Sequence, residues 1–221
     1  MRSRRPPDAV RELEALVLSG VDSRDDRILR LLTADDQLLP VIARSARRAT
    51  PKGSMSSRLQ PLSLVRIELA SGPQDDLARV VSAETLRPFI IVKGDLLRTA
   101  LVSAMAEVVL HIVPEHARED GLFELVIRAF VHLDEATTAA REELFLLFLL
   151  RVLDQQGILP PLEDLPELST GARETLEQWR AGRFVKLAVE DRPHTGRFLE
   201  RALIAFSGRP LLSRSLIDAA L

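Results

Sequence analysis

The sequence predicts an α+β fold in which a small, closed, five-stranded β-barrel is followed by an α-helical domain. Three observations lead to this prediction. Five short segments with β-type patterning follow one another at roughly ten-residue spacing, and turn residues separate them. After Pro88 the apolar residues recur at helical spacing instead. Strands first and helices second indicate two packed domains, at residues 1–90 and 91–221.

Residues 1–12 are predicted to form a loose tail before the first strand, because arginines there precede Pro6 and Pro7, which disfavour regular structure. In Leu38–Ala43 the apolar side chains alternate along the segment, as they do in a half-buried strand. Asp, Ser, Gly and Pro residues supply the turns between strands. The predicted strands are Glu14–Val21, Arg27–Thr33, Leu38–Ala43, Leu62–Leu69 and Leu77–Leu86.

The helical domain is predicted from the helical spacing of its apolar residues and from its capping residues. Asp95 offers an N-cap to the first helix of this domain. A later helix starts near residue 137 and ends at Gln156, with Gly157 as its C-cap. Its centre, Leu144–Leu150, is apolar on all sides, which predicts a buried position. Other predicted helices are Leu122–Leu133, a helix from a cap at Ser169 or Thr170 to Arg180, Gly196–Phe206 and Ser213–Ala220.

Composition narrows the class of protein. The formal net charge is −2, with 28% charged and 46% hydrophobic residues, which are values typical of a globular protein. Cys is absent, so disulfides and thiolate metal sites are excluded, in agreement with a reducing compartment. Because the sequence shows neither a membrane span nor the apolar run of a signal peptide, we expect a cytoplasmic protein without a membrane partner. An aromatic content of 4% argues against base-stacking platforms as the dominant nucleic-acid contact.

One segment, Leu38–Arg58, joins a predicted strand to a basic connection. No Asp or Glu occurs between Asp36 and Glu68, so its charge is a local concentration of one sign. Cations on a loop of a small β-domain can neutralise phosphates without reading bases. The alternatives are a solvated surface loop and, for Arg58, pairing with Glu68 or Glu84. The cations of this basic segment are Arg44, Arg47, Arg48, Lys52 and Arg58.

Patterns for catalysis and metal binding are weak. The pairs Asp25-Asp26 and Asp35-Asp36 suit the Mg²⁺ site of a nuclease, but both fall in predicted turns, where Asp serves the turn geometry. The four histidines lack the spacing of metal ligands, and the sequence has no phosphate-loop, nucleophile-elbow or zinc-protease motif. We therefore expect no catalytic residue, no metal and no cofactor.

Six pieces of the sequence follow one another in a recognisable order. They are Ala15–Leu18 with Asp26–Thr33, the basic turn Val41–Arg48, Leu59–Leu64, Ala83-Glu84, the helical positions Phe148, Leu150, Val152, Leu153, Gly157 and Pro160, and Gly208–Arg214. In this order and at this spacing they resemble the RecO family of bacterial recombination mediators. The resemblance covers nearly the whole length of the chain.

The resemblance implies an N-terminal OB-fold for the barrel and a protein that acts without catalysis. Members of the family bind single-stranded and double-stranded DNA and anneal complementary strands. With RecR, they help load recombinase onto DNA coated by the single-stranded-DNA-binding protein (SSB), whose acidic, hydrophobic tail they bind. The implied location is the cytoplasm, in association with the nucleoid. The five cations of the basic segment then become the principal DNA-binding candidates.

The helical domain supplies further candidates. Arg209 and Arg214 are secondary DNA-binding candidates, although cations at helix ends also serve to solvate a terminus. Phe148 and Arg151 are candidates for the SSB tail by family position, since that tail needs an apolar slot and a cation. The alternative for Phe148 is a core position in an apolar helix.

The sequence departs from the family in three places. The family often has a four-cysteine zinc site, which a chain without Cys cannot form, and the short, proline-rich Leu159–Ser169 occupies its place. Ser45 replaces the usual Gly of the basic turn, and Leu149 replaces a usual Glu. These changes affect the expected partner surface more than the DNA-binding role. Two other functions stay open: a protein-interaction adaptor whose OB-fold no longer binds nucleic acid, and a metal-dependent nuclease.

Overall fold

The computed structural model describes residues 9–46, 54–71, 77–135, 141–162 and 165–220, and the strands precede the main helices as predicted. The strands are β1 Ala9–Ser23, β2 Asp26–Thr33, β3 Leu38–Ala43, β4 Leu64–Ser71 and β5 Ala78–Arg87. The helices are α1 Met55–Arg58, α2 Ile90–Lys93, α3 Leu96–Ile112, α4 Leu122–Glu135, α5 Arg141–Gln155, α6 Thr170–Arg180, α7 Arg192–Ser207 and α8 Arg214–Ala220, with a short 3₁₀ helix at Val189–Asp191.

The five strands close into a barrel in the order β1-β2-β3-β5-β4. β1 pairs with β4 through its first half and with β2 through its second half, and its register shifts between Val17 and Ser19. Such a register shift bends β1, so that this one strand can pair with both β4 and β2 and close the barrel. β3 runs parallel to β5, and the other neighbours are antiparallel. This five-stranded barrel is an OB-fold, which confirms the predicted fold class.

The barrel interior is filled by every second side chain of its strands. Leu29 and Leu31 of β2 lie inside with Leu39 and Val41 of β3, and the alternation in the sequence of Leu38–Ala43 predicts the last two. Burying one such side chain contributes roughly 1.5–3 kcal/mol to folding. The interior cluster consists of Ala15, Val17, Leu29, Leu31, Leu39, Val41, Ala43, Ala46, Leu59, Val65, Ile67, Leu69, Val80 and Ala83.

The first strand begins earlier than the sequence predicts. Ala9 pairs with Ser71 and Val10 with Ala70, so residues 9–12 of the expected tail at 1–12 belong to β1. The sequence does not reveal this early strand start, because the Val10 side chain is 59% exposed and residues 9–12 are ordered by backbone pairing with β4. The preceding residues lie outside the described part of the chain.

The chain divides into two compact units, and one segment departs from the predicted domain limits of 1–90 and 91–221. The first unit takes Met1–Phe89 together with Val113–Glu124, and the second takes Ile90–Ile112 with Leu125–Leu221. The connection between α3 and α4 joins the barrel unit because its backbone bonds to the β2–β3 turn. His116 N donates to Leu38 O (2.7 Å), and Glu119 N donates to Asp36 O (3.0 Å).

The second unit is helical, and α5 is its buried central helix, as predicted. Phe145, Leu149 and Leu153 of α5 are all buried. The predicted N-caps at Asp95 and Ser169 are confirmed, since each side chain accepts a backbone N–H three residues further on (2.9 and 3.0 Å). The predicted start of α5 near residue 137 lies outside the described residues.

Candidate nucleic-acid interface

The basic segment starts in a turn that leaves β3. Ser45 adopts a left-handed backbone conformation, with φ of 49°. Its amide donates to Oδ1 of Asp26 at 2.8 Å, and Ala46 is buried in the barrel interior. Glycine adopts this conformation without steric penalty, whereas serine does not. The Asp26 carboxylate therefore stabilises a turn in which serine takes a backbone conformation that favours glycine.

Arg44 immediately precedes this turn and is open to solvent. Its side chain is exposed and makes no ion pair or hydrogen bond with any residue in the described ranges. Its guanidinium is therefore available to an external anion, in a place fixed by β3 on one side and by the Ser45 turn on the other. Arg47, Arg48 and Lys52 lie outside the described residues.

The last cation of the segment, Arg58, has a structural role. Ser54 caps α1 by accepting the Ser57 amide (3.1 Å), so the connection becomes helical where the sequence predicts a loop. The Arg58 guanidinium donates to Ala83 O (3.3 Å), while Arg58 O accepts the Thr85 hydroxyl (3.1 Å). These bonds attach α1 to β5. Arg58 is half-buried, so its replacement will also affect packing.

Strand register places two further arginines at the same end of the barrel. Arg27 pairs with Ala43 across β2 and β3, so β2 begins where β3 ends. The Arg27 side chain is only 11% exposed, lies 3.4 Å from Oδ1 of Asp22, and donates to Ser56 Oγ (3.2 Å). Arg24, in the β1–β2 turn, is exposed and unpaired with respect to the described part of the chain. Sequence reasoning missed Arg24, although the hairpin pattern and the predicted end of β3 together locate it.

The outer surface of β1, β4 and β5 is acidic instead. Arg66 lies among three carboxylates, 3.0 Å from Glu14, 3.4 Å from Glu84 and 3.9 Å from Glu12. The hydrogen bond to Glu14, together with the charges of all three, raises the pKa of Arg66 above its usual value. Glu68 stands directly across from Glu12 on the neighbouring strand. This part of the barrel wall repels a polyanion, so the end that carries Arg24 and Arg44 is the more favourable site.

The sequence predicts that the paired aspartates serve their own hairpin turns, but Asp26 accepts from the turn after β3 and Asp36 accepts from the start of α4. Asp36 accepts the amides of Gly121 (2.9 Å) and Phe123 (2.8 Å), and Asp35 accepts the Thr33 hydroxyl. With Asp26 occupied by Ser45, three of the four carboxylates have backbone or side-chain donors. Among the residues that the structure describes, no group of three or more His, Asp or Glu side chains could hold a metal ion.

The candidates on the helical unit differ in accessibility. Phe148 is 2% exposed and belongs to the buried surface of α5, while Arg151 is half-buried. Arg214 is bound to Glu200 (2.6 Å) and Asp218 (2.8 Å). Burial opposes its charge, but these carboxylates outweigh burial and raise the pKa of Arg214. Arg209 is exposed, without an ion pair to any residue of the described portion.

An apolar groove of about 610 Å³ opens beside the C-terminal end of α5. Ile158, Phe198 and Phe206 contribute apolar surface. Arg201 stands at the groove, with its guanidinium 2.9 Å from Oε1 of Glu167. Glu167 also lines the groove, so the groove combines apolar surface with one ion pair.

The barrel, its basic β3–β4 connection and the helical unit define an OB-fold protein of two units. Comparison with protein families identifies the class more closely. The model described as "Recombination protein O N terminal" matches residues 10–89, and that described as "Recombination protein O C terminal" matches residues 93–185. The chain belongs to the RecO family of DNA repair proteins.

Individual relatives agree with this assignment. The chain is 30% identical over 182 residues to the DNA repair protein RecO of Syntrophobacter fumaroxidans, a match covering 81% of this chain and 70% of the relative. It is 31% identical over 153 residues to that of Anaeromyxobacter dehalogenans strain 2CP-C, covering 69% and 59%. With that of Heliobacterium modesticaldum it shares 34% identity over 150 residues, covering 67% and 52%. The chain thus spans between about half and 70% of these relatives.

Among the described residues, no helix combines the length and the apolar character that crossing a bilayer requires.

Proposed function

We propose that this RecO-family chain binds DNA through the basic segment and anneals complementary single strands without a catalytic side chain. The observation that carries the proposal is the exposed, unpaired Arg44 at the barrel end, within the part of the chain that the structure describes. Arg47, Arg48 and Lys52 follow it within eight residues of sequence. Clustered cations neutralise phosphates and release counterions, so they bind DNA in a salt-dependent manner.

Annealing follows from the same electrostatics. Two complementary strands repel each other through their phosphates, and a protein that screens this repulsion brings them together without breaking or forming a covalent bond. The reaction therefore requires cationic surface and no nucleophile, base or metal. We also propose that the protein helps load recombinase onto SSB-coated DNA together with RecR, in the cytoplasm at the nucleoid.

The first test is fluorescence anisotropy with a labelled single strand at several salt concentrations. Replacing Arg44, Arg47 and Arg48 together by Gln is expected to weaken binding and to reduce the slope of log K against log salt by about 2, since each lost phosphate contact contributes about 0.7. A matched control replaces Arg11, Arg30 and Arg118 by Gln. These barrel-unit arginines face Asp35, Glu115 and Asp120.

The control removes the same charge from the same unit, so its salt slope should stay close to that of the unmodified protein. Equal losses in both triple variants would show a general charge effect and contradict the proposal. If the unmodified protein fails to bind single strands at low salt, the adaptor function replaces DNA binding. Annealing itself is measured with SSB-coated complementary oligonucleotides.

The groove beside α5 supports a site for the SSB tail. It offers apolar surface and Arg201, whose ion pair with Glu167 the carboxylate of an acidic, hydrophobic C-terminal peptide replaces on binding, whereas Phe148 is buried. Arg201→Gln is expected to weaken binding of a labelled tail peptide, and Arg197→Gln, on the same helix but outside the groove, is the matched control. Equal affinity for a peptide without its last residues would contradict this assignment.

A further inference from the structure

The helical unit exposes a phenylalanine ring, Phe184, that the surrounding residues do not cover. Phe184 follows α6 and is 54% exposed. Its ring stacks on Trp179, with the two rings 2° from parallel and their centroids 6.1 Å apart. Trp179 is completely buried, so the pair forms a two-ring stack with one end in the core and the other in solvent.

The backbone around Phe184 is fixed on both sides. Arg183 N donates to Gln178 O (2.9 Å) at the end of α6. The Trp179 indole N–H donates to Val185 O (2.8 Å), and Leu187 is buried. A side chain on an anchored backbone loses little conformational entropy when a ligand binds, so Phe184 is preorganised for contact.

Two unpaired cations flank this ring. Arg183 and Lys186 are exposed, and neither side chain has an ion pair or hydrogen bond with a residue that the structure describes. Lys186 lines a neighbouring groove of about 460 Å³ that also contains Glu174 and Asp191. A polyanion inside the groove meets those carboxylates, whereas one that passes over Phe184 meets the exposed Arg183 and Lys186, so the second path is the more favourable.

We propose that Phe184 stacks with a base of a single-stranded nucleic acid while Arg183 and Lys186 contact the adjoining phosphates. A base on the open face of Phe184 adds a third ring to the stack that begins at Trp179. An aromatic ring between cations is the combination by which proteins hold single strands without sequence preference. The inference rests on the proposed function for the class of ligand, and it adds a second site, on the helical unit.

The test is photocrosslinking to a single strand that contains 5-iodouracil, followed by mass spectrometry of the crosslinked peptide, with anisotropy on the same variants. A crosslink at Phe184 is expected. Phe184→Leu keeps an apolar side chain but removes the π-face, so it should abolish that crosslink and weaken single-strand binding about fivefold or more. Phe184→Trp should retain both, because it keeps the stacking surface.

Val189→Ala is the matched control, since Val189 is exposed in the same stretch but offers no ring. It should bind as the unmodified protein does. If Phe184→Trp loses as much affinity as Phe184→Leu, or Val189→Ala loses as much, the patch is an apolar protein-docking surface and the proposal is overturned. Equal crosslinking of Phe184 to a duplex of the same length would also overturn it, because paired bases cannot stack on the ring.

The experiments distinguish a wrong proposal for the basic segment from a wrong proposal for Phe184. A protein that binds no single strand at all contradicts the proposed function as well as this site. A protein that binds through Arg44, Arg47 and Arg48 but shows no crosslink at Phe184 contradicts only the second site. Persistence of the Phe184 crosslink in the triple Gln variant at low salt is the result expected if both sites exist.

Discussion

The Ser45 amide donates a 2.8 Å hydrogen bond to Oδ1 of Asp26, and this bond holds a left-handed turn at the start of the basic segment. The turn aligns two features that are 19 residues apart in sequence, the beginning of β2 and the end of β3. Arg44 immediately precedes the turn, and Arg24 lies two residues before Asp26. One carboxylate therefore fixes the backbone from which two exposed cations extend.

The first prediction concerns the strain at Ser45. Ser45→Gly removes the steric strain of a serine in the left-handed backbone conformation, but glycine also has the greater entropy in the unfolded chain. The net effect expected is a rise of about 0.5–1 kcal/mol in the free energy of unfolding. Urea unfolding measures the change. Ser57→Gly, in α1 rather than at a positive φ, is the control and should not stabilise the protein. If Ser45→Gly and Ser57→Gly stabilised the protein equally, the backbone strain inferred at Ser45 would be contradicted.

The second prediction concerns Arg24, which is exposed beside the turn. Arg24→Gln is expected to reduce the salt slope of single-strand binding by about 0.7, as loss of one phosphate contact does. Arg118→Gln removes an exposed cation that is 3.0 Å from Asp120 and should leave the slope unchanged. An Arg24→Gln slope equal to that of the unmodified protein would restrict the DNA contact to the basic segment.

The sequence predicts the barrel well because alternation of side chains along a strand is a local property. The buried residues Leu39, Val41 and Ala43 of β3 follow from that alternation alone. The early start of β1 cannot be predicted in the same way, because residues 9–12 owe their order to pairing with β4, more than fifty residues away. Long-range pairing leaves no local signal when the paired side chains are exposed or charged.

For the candidate site too, the sequence shows the local features but not those that depend on pairing between distant residues. The cations of the basic segment are visible as a run without acids, but their surroundings depend on register. Arg58 bonds to Ala83 O, and Arg66 is surrounded by Glu12, Glu14 and Glu84, which are distant in sequence. Phe184 was missed for a related reason, since only the structure shows that Trp179 lies beneath it.

The third prediction concerns Asp36, whose carboxylate accepts the amides of Gly121 and Phe123 at the start of α4. Asp36→Gly leaves both amides without this acceptor, and glycine adopts the positive φ of Asp36 (65°) without strain, so the variant is expected to destabilise the protein by about 1–2 kcal/mol. Faster amide hydrogen exchange at Phe123 checks the local effect. Asp25→Gly, in the β1–β2 turn, is the matched control. Unchanged exchange at Phe123 in the Asp36 variant would contradict the capping role.

The fourth prediction concerns a buried ion pair of the helical unit. Glu143 on α5 is 1% exposed and accepts a hydrogen bond from Arg192 on α7. Replacing Arg192 alone by Met leaves a buried carboxylate without its counter-charge, so the expected loss is about 3–5 kcal/mol in the free energy of unfolding. The double variant Glu143→Leu, Arg192→Met removes both charges and should lose clearly less. Thermal and urea unfolding compare the two, and a double variant as unstable as the single one would contradict the pairing.

The fifth prediction concerns the attachment of the C-terminal helix. Glu107 on α3 accepts three hydrogen bonds from the segment before α8, from Leu212 N (2.7 Å), Ser213 N (2.9 Å) and Ser213 Oγ (2.6 Å). Both carboxylate oxygens of Glu107 accept, so Glu107→Gln keeps the shape but replaces one acceptor by an NH2 group that cannot accept these donors. The variant also removes the charge, and hydrogen bonds to an ionised acceptor are about twice as strong as neutral ones. Limited proteolysis should therefore cut near Arg209 or Arg214 several times faster in Glu107→Gln than in the unmodified protein. Glu124→Gln, an exposed glutamate at the start of α4, is the control, and equal cleavage rates in all three proteins would show that Glu107 does not hold this segment.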